Sequence, residues 1–345
     1  MKLRSFCAPL LDLASASVLI TGGTGSFGTA LVRHFLAGGV PKRLIVFSRD
    51  EQKHDACAHL MRAEFPSKFD HLRFFLGDVR DKDRLELAMR GVDVVIHAAA
   101  LKIIPLAEYN PFECIQTNVH GAENVVKAAL RAGVKKVVAL STDKAVNPIN
   151  LYGASKLASD KIMIAANNLS GEGGAAFSVV RYGNVINSRG SVVPLFERLV
   201  REGAKSLPIT DPRMTRFWMS LDQGVAFVLS CLAMMRGGEV FVPKIPSMRI
   251  TDVARIIAPH LPQEIVGVRP GEKIHEILIT EDDARATLDV GDRYVITPVT
   301  LGRNDTDWAH LEARRVSTDF RYSSDTNEEW LDAPTMVKFM ARKAA

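Results

Sequence analysis

The feature that most constrains the fold of this chain is a regular alternation of short apolar runs and longer segments with helical periodicity. Charged stretches of helical length separate the runs SVLIT, RLIVFS, HLRFFLGD, VDVVIHAAA, KKVVALST and FSVVRYGNV. Strands that are apolar on both faces are buried on both faces, as in a parallel sheet that helices cover. The pattern therefore predicts a doubly wound parallel α/β sheet, and no internal repeat interrupts it.

The alternation weakens after about residue 185, and the chain divides into three predicted parts. Residues 1–16 form an N-terminal extension, residues 17–185 form the parallel sheet, and residues 186–345 form mainly a smaller substrate-binding lobe and a C-terminal tail. Some helices of the last part are expected to return to the sheet. Ligands of such sheets bind at the carboxyl ends of the strands, so we expect the lobe to cover that edge.

Composition and charge argue against several classes of function. Of the 345 residues, 47% are hydrophobic and 24% are charged, and the net charge of +5 is spread along the chain. This distribution argues against a nucleic-acid partner. No apolar run approaches the roughly 18 residues of a membrane span, so no membrane partner is expected.

Cysteine spacing and the N-terminus bear on the cellular compartment. The four cysteines, Cys7, Cys57, Cys114 and Cys231, are far apart, which predicts no disulfide framework and no metal site, and favours the cytoplasm. The first residues resemble a weak signal peptide, but Asp12 interrupts their apolar part. We therefore interpret residues 1–16 as a short cytosolic extension.

A glycine-rich turn, TGGTGSFG at residues 21–28, directly follows the first apolar run and opens the next helix. Its glycines permit a tight turn and let backbone N–H groups approach a pyrophosphate at the helix N-terminus. Because it opens the first β–α–β unit, the motif predicts a dinucleotide-binding Rossmann domain. The residues predicted to contact this cofactor are Thr21, Gly22, Gly25, Ser26, Phe27, Gly28, Ser48, Arg49, Asp50, Lys53, Asp78, Val79, Ala98, Ala99, Tyr152 and Lys156.

The end of the second strand indicates which dinucleotide binds. An NAD site usually ends this strand with an acidic residue that holds the ribose 2′-hydroxyl. Here Ser48 and Arg49 end the strand, with Lys53 nearby, and a hydroxyl with cations suits a 2′-phosphate, which favours NADP over NAD. Asp50 is the counter-argument, because it is close enough to be the acid. Asp78 is predicted to contact the adenine, or alternatively to cap a helix.

A second motif, STDKAVNPINLYGASK at residues 141–156, follows the fifth apolar run. Tyr152 and Lys156 are four residues apart on a predicted helix and share one face. A free tyrosine, with a pKa of about 10, is a poor base, but a lysine ammonium and a cationic nicotinamide favour the phenolate. The pair therefore predicts proton transfer from a sugar hydroxyl, coupled to hydride transfer from the same carbon.

Together these motifs resemble the extended short-chain dehydrogenase/reductase superfamily, through TGGTGSFG, HAAA and YGASK. Finer matches over about residues 18–279 are ALKIIPLAEYNPFECIQTN, STDKAVNPINLYGASK, RYGNV, DPRMTRFWMS and RPGEKIHE. They are similar to the nucleotide-sugar 4,6-dehydratases that invert C5. Retaining dehydratases typically carry an acidic residue where Lys144 stands, and 4-epimerases lack the Asp-Lys pair.

The resemblance implies UDP-N-acetylglucosamine as substrate, and the start of pseudaminic acid synthesis as the pathway. It implies that Tyr152, tuned by Lys156, and Thr142 act at the C4 hydroxyl, that Lys144 is the base at C5, and that Asp143 protonates the departing C6 hydroxyl. An Asp143–Lys144 ion pair is the alternative, and it would disable both groups. The implied substrate contacts are Lys102, Asn184, Arg189, Arg216, Arg269 and Glu272, with inter-lobe salt bridges as the alternative for Arg216 and Arg269.

Two other functions remain as alternatives. One is a 4-epimerase or a C5-retaining dehydratase of the same fold, and Lys144 argues against an epimerase, which needs no base at C5. The other is a non-catalytic NADP-sensing protein, which has no reason to keep both Tyr152 and Lys156. The resemblance further implies a homo-oligomer, a dimer or a hexamer. His97 is interpreted as a packed strand-end residue, and Asn118, in a helix predicted over about residues 111–131, as holding a water or a backbone carbonyl near Tyr152.

Overall fold

The computed structural model describes residues 4–6, 13–171, 173–186, 188, 190–298, 308 and 311–341. The strands are β1 (Ser17–Thr21), β2 (Arg43–Ser48), β3 (Leu72–Leu76), β4 (Val94–His97), β5 (Lys136–Thr142), β6 (Ala176–Tyr182), β7 (Asn184–Val185), β8 (Leu207–Ile209), β9 (Thr215–Met219), β10 (Val240–Pro243), β11 (Ser247–Arg249), β12 (Gln263–Ile265), β13 (Ile277–Ile279), β14 (Thr287–Asp289), β15 (Arg293–Ile296), β16 (Arg314–Arg315) and β17 (Tyr322–Ser323).

The helices alternate with the first six strands, as the apolar pattern predicts. They are α1 (Ser26–Ala37), α2 (Glu51–Glu64), α3 (Lys82–Ala88), α4 (Ile104–Tyr109), α5 (Pro111–Ile115), α6 (Gly121–Ala132), α7 (Leu151–Ser170), α8 (Val192–Arg201), α9 (Leu221–Met234), α10 (Ile250–Ile257), α11 (Glu281–Ala284) and α12 (Ala333–Ala341). A π-helical turn, Gln116–His120, joins α5 to α6, so the helix predicted near residues 111–131 is present but widened in its middle.

The central sheet has ten strands in the order β16–β14–β15–β10–β6–β5–β4–β1–β2–β3. The strands from β3 to β10 pair in parallel, and β15, β14 and β16 add antiparallel pairs at the other edge. The predicted doubly wound α/β fold is confirmed. The strand order reverses between β1 and β4, which places a ligand crevice at the carboxyl ends of these two strands.

Residues after 185 contribute to two separate cores. Phe196, Trp218 and Met248, all buried, belong to a smaller cluster of the lobe, to which α8, α10 and α12 contribute. Helix α9 instead packs against α1, and β10, β14, β15 and β16 extend the central sheet. Strands as well as helices therefore return to the sheet, whereas the sequence pattern predicted returning helices.

The described part of the N-terminal extension lies against the rest of the protein. Arg4 forms an ion pair with Glu329, at 2.5 Å, and its carbonyl accepts a hydrogen bond from Gln223 at 2.9 Å. Phe6 is buried, with its ring edge-on to Phe227 at 4.9 Å between centroids. These contacts tie the extension to α9 and to the segment after β17.

Candidate active site

The glycine-rich turn places backbone where side chains would not fit. Gly22 has φ of +67°, a left-handed conformation that favours glycine. A Cβ atom on Gly28 would lie 2.5 Å from Gly23 Cα, so α1 approaches the turn closely because residue 28 has no side chain. Helix α1 begins after Gly25 without a side-chain cap, which leaves its first N–H groups to a ligand. This cradle fits the pyrophosphate of a dinucleotide.

A cavity of about 750 Å³ opens above the carboxyl ends of β1 and β4. It is large enough for a dinucleotide together with part of a second ligand. Predicted residues that line it are Gly22, Gly25, Ser26, Phe27, Gly28, Ser48, Arg49, Asp50, Lys53, Asp78, Val79, Ala98, Ala99, Lys102, Thr142, Lys144, Tyr152, Lys156, Asn184 and Glu272. The structure therefore brings most of the predicted cofactor and catalytic residues to one cavity.

Thr21 is predicted to contact the cofactor, but it does not line the cavity. Its hydroxyl accepts a hydrogen bond from the backbone N–H of Ala98 at 3.2 Å and lies 2.8 Å from His97 Nδ1. Burial lowers the pKa of His97 to about 3, so this imidazole is neutral. Thr21 and His97 thus hold the end of β4 in place beneath the cavity, and His97 is a packed residue as predicted.

The end of β2 combines a hydroxyl with cations. Two carboxylates nearby, Asp50 after β2 and Asp78 after β3, form ion pairs with basic side chains. Asp50 accepts a hydrogen bond from the Lys53 backbone N–H as the N-cap of α2, and pairs with the Lys53 ammonium at 2.7 Å. Asp78 pairs with Arg80 at 2.8 Å and with Arg49 at 3.5 Å. The helix-cap alternative for Asp78 is wrong, because Asp81 caps α3.

The second motif folds into a strand end, a tight turn and a helix. Thr142 ends β5, residues 143–145 form a 3-10 turn, and the Asn150 side chain caps α7 by accepting from the Gly153 N–H at 2.7 Å. A Cβ on Gly153 would lie 2.1 Å from the Lys144 carbonyl oxygen, so only glycine lets α7 pack against this turn. The close contact places Tyr152 beside Lys144.

Asn118, on the π-helical turn, fixes the same region from the other side. Its amide oxygen accepts from the Leu101 N–H at 2.8 Å, and its amide nitrogen donates to the Leu101 carbonyl and to Ser155 Oγ, both at 2.9 Å. Ser155 in turn donates to the Tyr152 carbonyl at 2.8 Å. Asn118 therefore holds a backbone segment near Tyr152, which is one of the two roles expected for it.

The protein alone does not favour the Tyr152 phenolate. Burial raises the pKa of Tyr152 to about 12, against the opposing effects of the Lys144 ammonium and of a hydrogen bond with Thr142. Lys156 is buried, which lowers its own pKa, while the charge of Asp160 opposes that shift. Lys144 is thus a cation that lowers the pKa of the phenol, and the tuning of Tyr152 by Lys156 stays a prediction.

Asp143 and Lys144 lie in a compact cluster of charges. Lys144 Nζ is 2.9 Å from Asp143 Oδ1 and 3.3 Å from Glu276 Oε1, and Thr142 donates to Asp143 Oδ1 at 2.8 Å. Burial alone would lower the pKa of Lys144, but the two carboxylates outweigh it and raise that pKa. Burial, followed by the charge of Glu276, raises the pKa of Asp143, and Lys144 opposes this. The structure thus contains the ion-pair geometry that sequence analysis left as the alternative.

Arg216 contacts protein groups through all of its nitrogens. Nη1 donates to the Thr215 carbonyl at 2.7 Å, Nη2 donates to the Lys273 carbonyl at 2.8 Å, and Nε is 3.5 Å from Glu276 Oε1. This is the structural tie that was the alternative for Arg216, and its predicted contact with the substrate stays a prediction. Arg189 lies outside the described residues.

A second cavity of about 220 Å³ extends the first toward the lobe. The two cavities share Lys144, Asn184 and Glu272, and Arg269 and Arg216 line the smaller one. Glu272 Oε2 is buried without a hydrogen-bond partner among the described residues. A ligand that spans both cavities would therefore meet this carboxylate and Lys144 at the junction.

Sequence analysis missed two residues of this site. Glu276 and Lys273 lie within RPGEKIHE, but only Arg269 and Glu272 were singled out there. Lys273 donates a hydrogen bond to the Val146 carbonyl and so ties this segment to the turn after Asp143. A carboxylate in the same motif as Lys273 was the only indication in the sequence that Glu276 belongs to the site. Sequence spacing does not show that this carboxylate lies beside Lys144.

Two kinds of feature, a metal-binding cluster and a membrane-spanning helix, are absent from the described residues. No group of three or more His, Cys, Asp and Glu side chains is arranged to hold a metal ion. None of the helices in this part of the chain is long and apolar enough to cross a membrane.

Solved structures with similar folds include two informative ones. Pen from Bacillus thuringiensis matches with a TM-score of 0.85 and 33% identity, covering 96% of this chain and 99% of that one. DesIV, a dTDP-glucose 4,6-dehydratase from Streptomyces venezuelae with NAD bound, matches with a TM-score of 0.66 and 26% identity, covering 75% of this chain and 86% of that one. The Rossmann-type fold is thus shared with a nucleotide-sugar enzyme that holds a nicotinamide cofactor.

Sequence comparison gives two similar relatives and a family. A UDP-N-acetylglucosamine 4,6-dehydratase (inverting) from Campylobacter jejuni is 52% identical over 94% of this chain and 97% of its own. A UDP-glucose 4-epimerase from Rickettsia akari is 44% identical over 81% of this chain and 82% of its own. The model of a polysaccharide biosynthesis protein family matches residues 18–298. The chain therefore belongs to this polysaccharide biosynthesis family, whose fold is that of the extended short-chain dehydrogenases/reductases.

Proposed function

We propose that the protein is a nucleotide-sugar 4,6-dehydratase that acts on UDP-N-acetylglucosamine and inverts C5. The observation that carries the proposal is the contact between Lys144, which lines the same cavity as Tyr152 and Lys156, and the buried Asp143 behind it, 2.9 Å away. Elimination of water across C5 and C6 needs a base and an acid close together, whereas epimerisation at C4 needs no base at C5 and no acid at C6. The 52% identity with a relative of that activity supports the same choice.

Within this proposal the nicotinamide cofactor is NADP. When bound, it accepts a hydride from C4, returns it to C6 and supplies positive charge beside Tyr152. The glycine turn would hold its pyrophosphate, and Ser48, Arg49 and Lys53 would surround its 2′-phosphate. Support for NADP over NAD comes from Ser48, Arg49 and Lys53, a hydroxyl and two cations that line the same cavity.

Tyr152 carries out the first proton transfer in this scheme. Its phenolate takes the proton of the C4 hydroxyl as hydride leaves C4, and Thr142 donates a hydrogen bond to the C4 oxygen. Because the pKa of Tyr152 is raised to about 12, chiefly by burial and even with the Lys144 ammonium opposing the shift, the phenolate depends on the further positive charge of the bound cofactor. The C4 ketone that results makes the C5 proton acidic.

Lys144 and Asp143 then carry out the elimination. Neutral Lys144 removes the C5 proton, Asp143 gives its proton to the C6 hydroxyl, the C6–O bond breaks and water leaves. These reactive forms differ from the ion pair by one proton transferred along the 2.9 Å hydrogen bond. Return of the hydride to C6 and addition of a proton to C5 on the opposite face would then give a UDP-4-keto-6-deoxy-L-sugar. No net oxidation occurs, so the cofactor can stay bound.

The remaining predicted residues form the proposed substrate site. Lys102 and Arg269 would neutralise the diphosphate, Asn184 would contact the sugar, and Glu272 would accept from a ribose hydroxyl. The position of Asn184 and Glu272 at the junction of the two cavities supports this assignment. We further propose a cytoplasmic homo-oligomer that supplies pseudaminic acid or another surface glycan, for example for flagellin.

The proposed function is tested by proton NMR of UDP-N-acetylglucosamine incubated with the protein in D₂O. A new C6 methyl signal, deuterium at C5 and an L-configured ring are the expected results. Lys144→Ala should lower the rate by about 10²- to 10⁴-fold, the usual contribution of a general base. Lys161→Ala, which replaces an exposed lysine of α7, is the matched control and should leave the rate unchanged.

A 4-epimerase is the second candidate, because a UDP-glucose 4-epimerase is 44% identical over most of the chain. In the same experiment an epimerase would give the axial C4 epimer with no deuterium at C5. That product, or full activity of Lys144→Ala, would contradict the dehydratase assignment. A non-catalytic NADP sensor would bind cofactor and leave every nucleotide sugar unchanged.

A further inference from the structure

Glu276 is a buried carboxylate at the centre of the site that the reaction scheme above does not use. It is 2% exposed, and its Oε1 is 3.3 Å from Lys144 Nζ and 3.5 Å from Arg216 Nε. Its Oε2 is buried and has no hydrogen-bond partner among the described residues. A buried carboxylate is costly unless charges or hydrogen bonds compensate it, so this placement needs a reason.

The backbone on both sides of Glu276 fixes where its side chain points. Its N–H donates to Ser324 Oγ at 2.9 Å, and its carbonyl accepts from the Ser324 N–H at 2.8 Å. These bonds extend the pairing of β13 with β17. The position of Glu276 therefore follows from strand pairing and does not depend on its attraction to Lys144.

Five charged groups from three segments of the chain form this cluster. Asp143 and Lys144 come from the 3-10 turn, Arg216 comes from β9, and Lys273 precedes Glu276 on its own segment. Glu276 has ion-pair contacts with both Lys144 and Arg216, whereas Asp143 has one with Lys144 alone. Two buried carboxylates near one lysine are not both ionised at low cost, and the one with fewer cations holds a proton more readily.

The direction of the pKa shifts agrees with this geometry. Burial would raise the pKa of Glu276, but the charges of Lys144 and Arg216 outweigh it and lower that pKa. Burial and the charge of Glu276 raise the pKa of Asp143. The pKa values of the two carboxyl groups thus shift in opposite directions. In paired sites, such a difference in pKa separates the group that acts as an acid from the group that acts as a counter-ion.

We propose that Glu276 is a positioning residue that supplies the negative charge facing Lys144 and Arg216, and so leaves the buried Asp143 free to hold a proton. This inference rests on the proposed dehydration, in which Asp143 must be protonated to release the C6 hydroxyl. It removes the part of the ion-pair difficulty that concerns Asp143, because Lys144 has a second carboxylate at contact distance. The same carboxylate favours the Lys144 ammonium, which the proposed scheme still requires to lose its proton before it acts at C5. Glu276 acts through Asp143 and need not touch the sugar.

The first test measures the proton itself in the full-length protein. Because burial also raises the pKa of Asp160, the infrared spectrum of each protein is compared with that of Asp143→Asn, in which any Asp160 band is retained. The wild type should show an additional carbonyl stretch of a protonated buried carboxyl, and this band should be absent from Asp143→Asn. It should also be absent from Glu276→Gln, because Lys144 then has only Asp143 as its counter-ion. A band that survives in Glu276→Gln, or one that survives in Asp143→Asn and disappears in Glu276→Gln, would overturn the proposal.

The second test is the pH profile of dehydration. In Glu276→Gln the alkaline limb should move to lower pH by about one unit, so that the rate at about pH 8 falls about tenfold and recovers in acid. The KM should stay unchanged. Glu276→Asp keeps the charge and should restore most of the wild-type profile, and it also serves if the glutamine variant folds poorly. A Glu276→Gln profile that matches the wild type would contradict the proposal.

These two readouts separate this inference from the proposed function. If the wild type shows the protonated-carboxyl band but does not dehydrate UDP-N-acetylglucosamine, the function is wrong and the role of Glu276 stands. If the wild type dehydrates this substrate and Glu276→Gln changes neither the band nor the profile, the function stands and the role of Glu276 is wrong.

Discussion

The two ends of the main cavity are built in different ways. At the glycine turn the wall is backbone from consecutive residues, and close approach of α1 to residues 22–23 sets its shape. At the other end the wall carries charges from three distant segments, which meet around Lys144 and Glu276. The shape of the glycine-turn end depends on the absence of side-chain atoms there. The shape of the charged end depends on ion-pair partners being present. Sterically set sites should fail when an atom is added, and electrostatically set sites should fail when a charge is removed.

The largest expected effect on cofactor binding comes from adding one methyl group at the glycine turn. In Gly28→Ala the new Cβ would lie 2.5 Å from Gly23 Cα and 2.6 Å from the Gly22 carbonyl oxygen, so α1 must move away. Such overpacking typically costs about 1–3 kcal/mol of folding free energy. Because the moved N–H groups are those aimed at the pyrophosphate, cofactor affinity should fall about 100-fold or more, measured by titration calorimetry.

A glycine in open space is the control for that variant. Gly39 is exposed, and a Cβ there would meet no atom within 4 Å. Gly39→Ala should therefore bind the cofactor as the wild type does. Equal loss in both variants would contradict the steric account of the turn.

The second effect comes from removing one charge at the opposite end. Arg216→Met deletes a buried cation that contacts Glu276 and the backbone carbonyls of Thr215, Lys273 and Ile274. Loss of one partner from a buried pair costs about 3–5 kcal/mol, so the urea midpoint should fall clearly. The cofactor affinity of the folded protein should change little, since Arg216 lies outside the main cavity wall.

The matched arginine for this comparison is Arg213. Its side chain is 70% exposed and pairs with Asp211 at 2.7 Å. Exposed pairs contribute little to stability, so Arg213→Met should leave the urea midpoint where it is. If Arg216→Met behaved in the same way, the lobe end of the cavity would not depend on its charges.

The smallest effect is a pH dependence at the glycine-turn end, where a buried titratable group is kept neutral. Burial lowers the pKa of His97 to about 3, compared with about 6.5 in an unfolded chain. The stability that this contributes is present above pH 6.5 and is lost as the pH falls toward 3, because the unfolded chain then binds a proton that the folded protein does not. Between about pH 6.5 and 5 the free energy of unfolding should fall by about 2 kcal/mol.

Urea unfolding of two histidine variants measures this contribution. His97→Asn should remove most of that pH dependence. His59→Asn replaces an exposed imidazole on α2 and should leave the dependence as it is in the wild type. A His97→Asn protein with the full wild-type slope would show that His97 is not the source.

The same difference explains what the sequence could predict. The glycine turn, the Tyr152–Lys156 pair and the parallel strands are local patterns, and the structure has all of them. Local patterns are readable because chain neighbours are also neighbours in space. Thr21 was assigned to the cofactor from its place in the motif, but its hydroxyl bonds to the end of β4, a strand far along the chain.

The charge cluster shows why the rest was not predictable. Glu276 meets Lys144 only because β13 pairs with β17, two short strands without a strong apolar signal. Arg216 was expected to contact the substrate or to form an inter-lobe salt bridge, and its donors meet carbonyls of a segment near residue 273. Which charges approach one another is decided by long-range pairing, which residue spacing does not encode.

The pairing of β13 with β17 also has a consequence for the time at which the site becomes complete. On the ribosome the glycine turn and the first six strands are available once about residue 185 has emerged, and N-terminal units generally fold first. Ser324, which fixes the backbone of Glu276, lies far beyond residue 185 in the chain. A nascent chain would thus acquire its nucleotide cradle, Tyr152 and Lys144 first, and the carboxylate that faces Lys144 only after β17 has emerged. The charge cluster of the site would then be completed last.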